Sequence, residues 1–167
     1  MSPSRLEAEW HPTKNLPLLF NPSLTVSKKY WWLGECGHEW EVTLDKRQRG
    51  SKCPYCCGNR VLVGFNDLQT INPALASEWH PTRNGDLKPQ HVTVGSDKKV
   101  WWLAGCGHEW EVAIKGRAIR NNGCPVCRGR KVLTGFNDLG TLYPALASEW
   151  HPTKNGELTP YDVTAKA

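Results

Sequence analysis

Two stretches of the chain place a histidine two residues after a cysteine and follow this pair with a Cys-Pro-x-Cys motif. Thiolate sulfur and imidazole nitrogen are the ligands that zinc prefers, and four of them close a tetrahedral structural site. Spacers of 14 and 15 residues separate each histidine from its Cys-Pro-x-Cys motif. The sequence therefore predicts two structural zinc ions, and their ligands are Cys36, His38, Cys53, Cys56 and Cys106, His108, Cys124, Cys127.

Other uses of these cysteines are less favoured. A redox C-x-x-C motif does not need a Cys-x-His pair at a matched distance. A disulfide framework suits a secreted chain, but no apolar leader begins this sequence, and four of the seven cysteines lie in the two Cys-Pro-x-Cys motifs. We therefore expect a reduced, cytoplasmic protein. Cys57 has no counterpart, since Arg128 occupies the matching place, and we expect it to be a spare thiol.

Basic residues bracket each predicted zinc site. Lysine or arginine at fixed distances from a rigid metal site is suited to contacts with phosphate groups, although a solvated basic loop is the simpler alternative. Counted back from the Cys-Pro-x-Cys motif, Lys46 matches Arg117 and Arg49 matches Arg120. The predicted nucleic-acid contacts are Lys46, Arg47, Arg49, Lys52, Arg60, Lys115, Arg117, Arg120, Arg128, Arg130 and Lys131.

Composition sets limits on both the fold and the partners. The 21 Lys and Arg against 16 Asp and Glu give a net charge of +5, which permits an anionic partner without requiring one. The mean hydropathy of −0.54 predicts a core so thin that metal ligation must supply part of the folding free energy. No apolar run is long enough to cross a bilayer, so no membrane partner is expected.

The chain repeats itself with a period of about 70 residues. Glu-Trp-His-Pro-Thr occurs at 9–13, 78–82 and 149–153, but only two Cys-Pro-x-Cys motifs are present. We expect a first zinc module with a partial helical unit at 1–63, a second zinc module at 64–134, and a partial helical unit at 135–167 that acts as a cap.

A β-hairpin and a short helix are the elements that must position the ligands. Residues 100–103 and 108–114 carry strand-forming side chains, so the Cys-x-His pair is expected in the connecting turn. Residues 73–79 predict a helix, because Asn72 can cap it and Pro73 suits its first position. The Asp-Leu-Gln-Thr stretch before it predicts a turn.

Adjacent tryptophans in the first strand of each hairpin must point to opposite faces. We expect one of Trp101 and Trp102 to lie in the core and the other to pack on the helix that carries Trp79, a use favoured by burial over stacking on a nucleic-acid base. The same holds for Trp31 and Trp32.

The recurring histidines His11, His80 and His151 are further candidates for chemistry. Four ligands are already available to each metal without them, so we expect these histidines to fix a chain corner by hydrogen bonds. A metal-dependent nuclease that uses His80 and Asn84 is a remote alternative, because no carboxylate or second histidine is fixed nearby.

These motifs in combination resemble the bacterial and phage family called probable zinc-ribbon domain, which occurs in tandem copies. The resemblance covers nearly the whole chain and implies the metal-ligand role for the eight residues named above. Members often accompany nuclease domains of the very-short-patch-repair type, which implies a DNA-directed context. Hairpin, zinc knuckle and helix in this order are also similar to a treble clef, so both topologies stay open. The fold class is a small α+β, metal-stabilised fold of tandem modules.

Two functions from different classes follow from these observations. The leading hypothesis is a DNA-binding adaptor in which two linked zinc modules contact the phosphate backbone. The alternative is a protein-interaction module that recruits a nuclease or another DNA-processing partner through its tryptophans and proline-rich corners. Neither hypothesis includes catalysis or a small-molecule substrate.

Overall fold

The computed structural model describes residues 3–21 and 23–165 and contains two β-hairpins, each followed by a short helix. The predicted end units also include residues 1–2, 22 and 166–167, which lie outside the described residues. The α-helices and strands, in chain order, are α1 (Pro3–Ala8), β1 (Lys29–Leu33), β2 (Glu39–Thr43), α2 (Leu44–Gln48), α3 (Leu68–Ile71), α4 (Pro73–Ala76), β3 (Lys99–Leu103), β4 (Glu109–Ala113), α5 (Ile114–Ala118), α6 (Leu139–Leu142) and α7 (Pro144–Ser148). A short 3-10 helix, Pro89–His91, lies between α4 and β3.

Each hairpin is an antiparallel pair, as the sequence predicts, and each strand has five residues. The second strand is shorter than predicted, because Ile114 begins the helix α5. In the second hairpin, Trp102 pairs with Trp110, and Leu103 pairs with Glu109 next to the turn. The first hairpin repeats this register with Trp32 opposite Trp40. The Cys-x-His pair lies in the connecting turn in both, so each hairpin presents two ligands at one end.

Two separate cores hold the modules. Trp102 is fully buried with Trp110, Ile114 and Leu75 in one core, and Trp32 occupies the equivalent place in the other. The prediction of one core tryptophan per pair is confirmed. The prediction that the other tryptophan packs on the helical segment is wrong. The core tryptophan itself packs edge-on against the tryptophan of the preceding helical segment, with ring centroids 5.5 Å apart for Trp79 and Trp102.

The other tryptophan of each pair lies beneath a cation. Arg83 is 4.3 Å from the ring centroid of Trp101, and Lys14 is 4.2 Å from that of Trp31. These rings face the opposite side of the strand from the core, so a long basic side chain covers them instead of a helix.

The helix predicted at 73–79 is present but shorter. It starts at Pro73, where the Asn72 side chain accepts a hydrogen bond from Leu75 N at 3.0 Å, and it ends at Ala76. The preceding stretch, predicted as a turn, forms the helix α3. Asp67 caps α3 by accepting from Thr70 N, which lets one helical turn form where propensity alone is weak.

A segment that we call the WHPT corner follows each helical segment, and its three copies are residues 10–18, 79–87 and 150–158. The first two copies pack against the hairpins that follow them. His80 Nδ1 accepts from Thr82 N at 3.2 Å and Arg83 N at 3.1 Å, while its Nε2 faces Glu109 Oε1 at 3.1 Å. Asn84 exchanges two bonds with the backbone of Trp101. The histidine therefore fixes the corner, as predicted.

No helix among the described residues is long and apolar enough to cross a membrane.

Candidate metal centres

The four predicted ligands of each module converge on one point. Their ligand atoms all lie within 4.8 Å of one another in both modules. His38 Nδ1 is 3.6 Å from Cys53 Sγ and 3.4 Å from Cys56 Sγ, and the distances from His108 Nδ1 to Cys124 and Cys127 are 3.5 and 3.3 Å.

These distances fit zinc. Bonds of about 2.3 Å to sulfur and about 2.0 Å to nitrogen in a tetrahedron set the two atoms about 3.5 Å apart. In each module three thiolates and one imidazole fit the four-coordinate sphere of one structural zinc ion, so the chain fits two. Each ion would link the hairpin turn to the Cys-Pro-x-Cys motif, which we call the knuckle.

Glycine shapes the turn that presents the first two ligands. Gly37 and Gly107, each between a ligand cysteine and a ligand histidine, have φ of +77° and +76°. This left-handed conformation costs glycine little, and it lets the flanking side chains point to the same side. Gly107 N donates to Ala104 O at 2.9 Å and closes the turn.

The Gly-Phe-Asn-Asp motif after each knuckle buttresses the metal site. Phe65 packs edge-on against the His38 ring with centroids 4.4 Å apart, and Phe136 does the same to His108 at 4.7 Å. Asn66 Nδ2 donates to the carbonyls of Tyr55 and Arg60 at 2.7 and 2.8 Å. The knuckle is therefore clamped by residues that follow it in the chain, and Asn137 repeats the clamp in the second module.

The thiols of a ligand set differ in pKa, as the first set shows. Burial raises the pKa of Cys56, and hydrogen bonds with Cys36 and Cys53 raise it further, to about 12. Burial also acts to raise the pKa of Cys36, but hydrogen bonds from the His38 backbone and side chain outweigh it and lower the pKa to about 7. Zinc binds thiolates, so metal binding must release a proton from Cys56, and zinc affinity must fall as pH falls.

A family model described as probable treble clef zinc finger domain matches residues 6–59 and 75–130. The chain belongs to this treble clef family. The match extends over more than half of the chain and covers both ligand sets. It decides the topology left open by the motifs in favour of the treble clef over the ribbon. No protein of curated function matches the chain.

Two of the predicted phosphate contacts of this treble clef protein are buried. Arg47 is 1% exposed and pairs with Glu9, while Arg117 is 8% exposed and pairs with Glu78. The Arg117 guanidinium also lies 5.2 Å from the Trp110 ring. The prediction of these two arginines as nucleic-acid contacts is therefore wrong. Each forms an ion pair that links the helix after the hairpin to the helical segment before it.

The prediction that Lys46 and Arg117 occupy equivalent positions in the two units is also wrong. Arg47 and Arg117 are each the fourth residue of the helix that follows the hairpin. The extra residue of the second spacer therefore lies between this helix and the knuckle, so counting back from the knuckle shifts the comparison by one.

The remaining basic candidates lie at the surface or close to it. Arg49 pairs with Asp45 at 3.0 Å, Lys115 pairs with Asp97, and Arg128 donates to Asn121 O at 3.1 Å. The exposed candidates for which the described residues provide no acidic partner are Lys46, Lys52, Arg60, Arg120, Arg130 and Lys131.

Sequence reasoning missed the residues that support the sites. The Phe-Asn-Asp clamp and the glutamates Glu9 and Glu78 recur in the repeat, and that recurrence was the available signal. It could show that these residues matter, but not that the Phe of one unit contacts the histidine ligand of the unit before it.

Proposed function

We propose that this treble clef protein binds nucleic acid, with DNA the expected ligand, through basic residues beside its two zinc sites. The observation that carries the proposal is that many carboxylates are paired or buried within the fold, whereas basic residues near the zinc sites are exposed. Carboxylates such as Glu39 and Glu109 pair with the WHPT corners, and Asp67 and Asp138 are buried helix caps. Six lysines and arginines around the knuckles face solvent without an acidic partner among the described residues: Lys46, Lys52, Arg60, Arg120, Arg130 and Lys131.

Contacts of this kind read the phosphate backbone and not the base sequence. The zinc sites hold the basic loops rigidly, which lowers the entropy lost when lysine and arginine side chains bind phosphates. Two linked modules raise affinity further, because the second binds at the high effective concentration set by the first. His80 and Asn84 are engaged in the corner, so we propose binding without cutting.

The test is a salt-series titration of zinc-loaded protein with duplex DNA, single-stranded DNA and duplex RNA. A variant with Lys52, Arg60, Arg130 and Lys131 changed to Ala is compared with the intact protein. We expect affinity to fall steeply with salt, and the variant to bind at least about tenfold more weakly with a salt slope reduced by about one per lost contact.

A matched control removes the same charge elsewhere. It changes Lys29, Lys88, Lys99 and Lys154, all exposed, to Ala. Equal weakening in both variants would mean that net charge alone drives binding. Absence of binding to every probe would leave recruitment of a protein partner as the function, which the exposed Phe65 and Ile71 near the first knuckle favour.

A further inference from the structure

The third WHPT corner keeps its local structure although neither hairpin of the described structure covers it. His151 Nδ1 accepts from Thr153 N and Lys154 N at 3.2 and 3.0 Å, and Trp150 Nε1 donates to Leu158 O at 3.0 Å. The equivalent bonds in the second corner measure 3.2, 3.1 and 3.1 Å. The corner is therefore preorganised by its own sequence.

The apolar face beside this corner, which includes Leu146, is exposed in the described structure. Leu146 is 53% exposed, whereas its equivalent Leu75 is 7% exposed beneath the second hairpin. His151 is exposed, whereas His80 is buried. By contrast Leu142 and its equivalent Ile71 are 50% and 54% exposed, so these positions face solvent whether or not a hairpin is present.

The polar groups that bind a hairpin in the second unit are repeated in the third. In the second unit Glu78 pairs with Arg117, His80 faces Glu109, and Asn84 donates to the backbone carbonyl of Trp101. The equivalents Glu149, His151 and Asn155 are all exposed. None of them is bonded to a strand within residues 3–21 and 23–165.

We propose that residues 144–158 form a docking site for a further zinc hairpin that has no corner of its own. The site offers Glu149 to an arginine in the helix after such a hairpin, and His151 with Lys154 to the glutamate that begins its second strand. A second intact copy cannot supply this partner, because each of its hairpins is already covered by its own corner. The proposal does not depend on nucleic-acid binding.

The test replaces Lys166 and Ala167 at the end of the chain with a duplicate of residues 95–137, which carries an uncovered hairpin and its zinc ligands. We expect three zinc ions per chain, and amide exchange at residues 151–155 slowed to the rates at residues 80–84. Leu146→Asp in the extended chain should speed exchange there by about tenfold or more, because a carboxylate replaces a leucine that docking buries. Leu142→Asp, at an equally exposed leucine outside the face, should leave exchange unchanged.

Three results would overturn the proposal. One is an extended chain that binds only two zinc ions, since the same hairpin loads zinc when the second corner covers it. Another is unchanged exchange at residues 151–155 despite a third zinc ion. The last is self-association of the unextended chain that Leu146→Asp abolishes, which would assign the face to a second copy.

Discussion

At the residue scale, Asp67 is a single side chain that fixes the turn leading into α3. Its carboxylate is fully buried and accepts from Thr70 N at 2.9 Å, Thr70 Oγ1 at 2.7 Å and Gly64 N at 2.6 Å. Burial acts to raise the pKa of Asp67, but these donors outweigh it and hold the pKa below its ordinary value.

We predict that Asp67→Asn destabilises the protein by about 1–2 kcal/mol, because an amide nitrogen cannot accept from the donors that an oxygen faces. A lowered carboxyl pKa stabilises the fold above the ordinary aspartate value, and this contribution is lost only as pH falls through the folded pKa. The loss relative to the wild type should therefore be the same at pH 6 and pH 7 in urea unfolding. Asp86→Asn, at an exposed aspartate, should change stability by less than about 0.5 kcal/mol.

At the element scale, Arg117 couples α5 to the helical segment that precedes the hairpin. Its guanidinium pairs with Glu78 and donates to Asn122 O at 2.7 Å, so it also ties α5 to the loop that leads into the knuckle. This position explains why a charged residue belongs in so small a core.

We predict that Arg117→Ala lowers the unfolding free energy by about 2 kcal/mol or more. It leaves Glu78 without its partner and a cavity beside the rings of Trp102 and Trp110, whose centroids lie 5.5 and 5.2 Å from the Arg117 guanidinium. Folded Arg117→Ala protein should bind nucleic acid as the wild type does. Arg120→Ala, at an exposed arginine in the same segment, should show the reverse pattern of unchanged stability and weaker binding. If Arg117→Ala weakened binding without loss of stability, its role as a joining residue would be contradicted.

At the scale of the whole molecule, two small cores depend on metal. Cys53 and Cys124 belong both to the ligand sets and to the buried clusters, so loss of zinc also disrupts apolar packing. Complete chelation should abolish the near-ultraviolet circular dichroism of the tryptophans in both modules.

Neighbouring cysteines in the first knuckle allow a sharper test. Cys56 and Cys57 are both exposed, but only Cys56 belongs to a ligand set. We predict one zinc ion per chain for Cys56→Ser and two for Cys57→Ser, measured by native mass spectrometry. Two zinc ions in Cys56→Ser would show that the assigned ligand set is wrong.

The sequence by itself determined the features that depend on neighbours in the chain. Ligand types and spacing specified both zinc sites, and the alternation of side chains specified the hairpins that present them. Asn72 and Pro73 predicted where a helix starts, because a cap acts within one turn. These parts were predictable because their physics is local.

Only the tertiary structure decided which charges face solvent. Arg47 and Arg120 look alike in a basic loop, but one is buried against a glutamate far away in the sequence and the other is exposed. The same limit applied to the tryptophan pairs and to Phe65, whose partners lie in other elements. A side chain's burial depends on what the rest of the fold packs against it, and no local pattern contains that information.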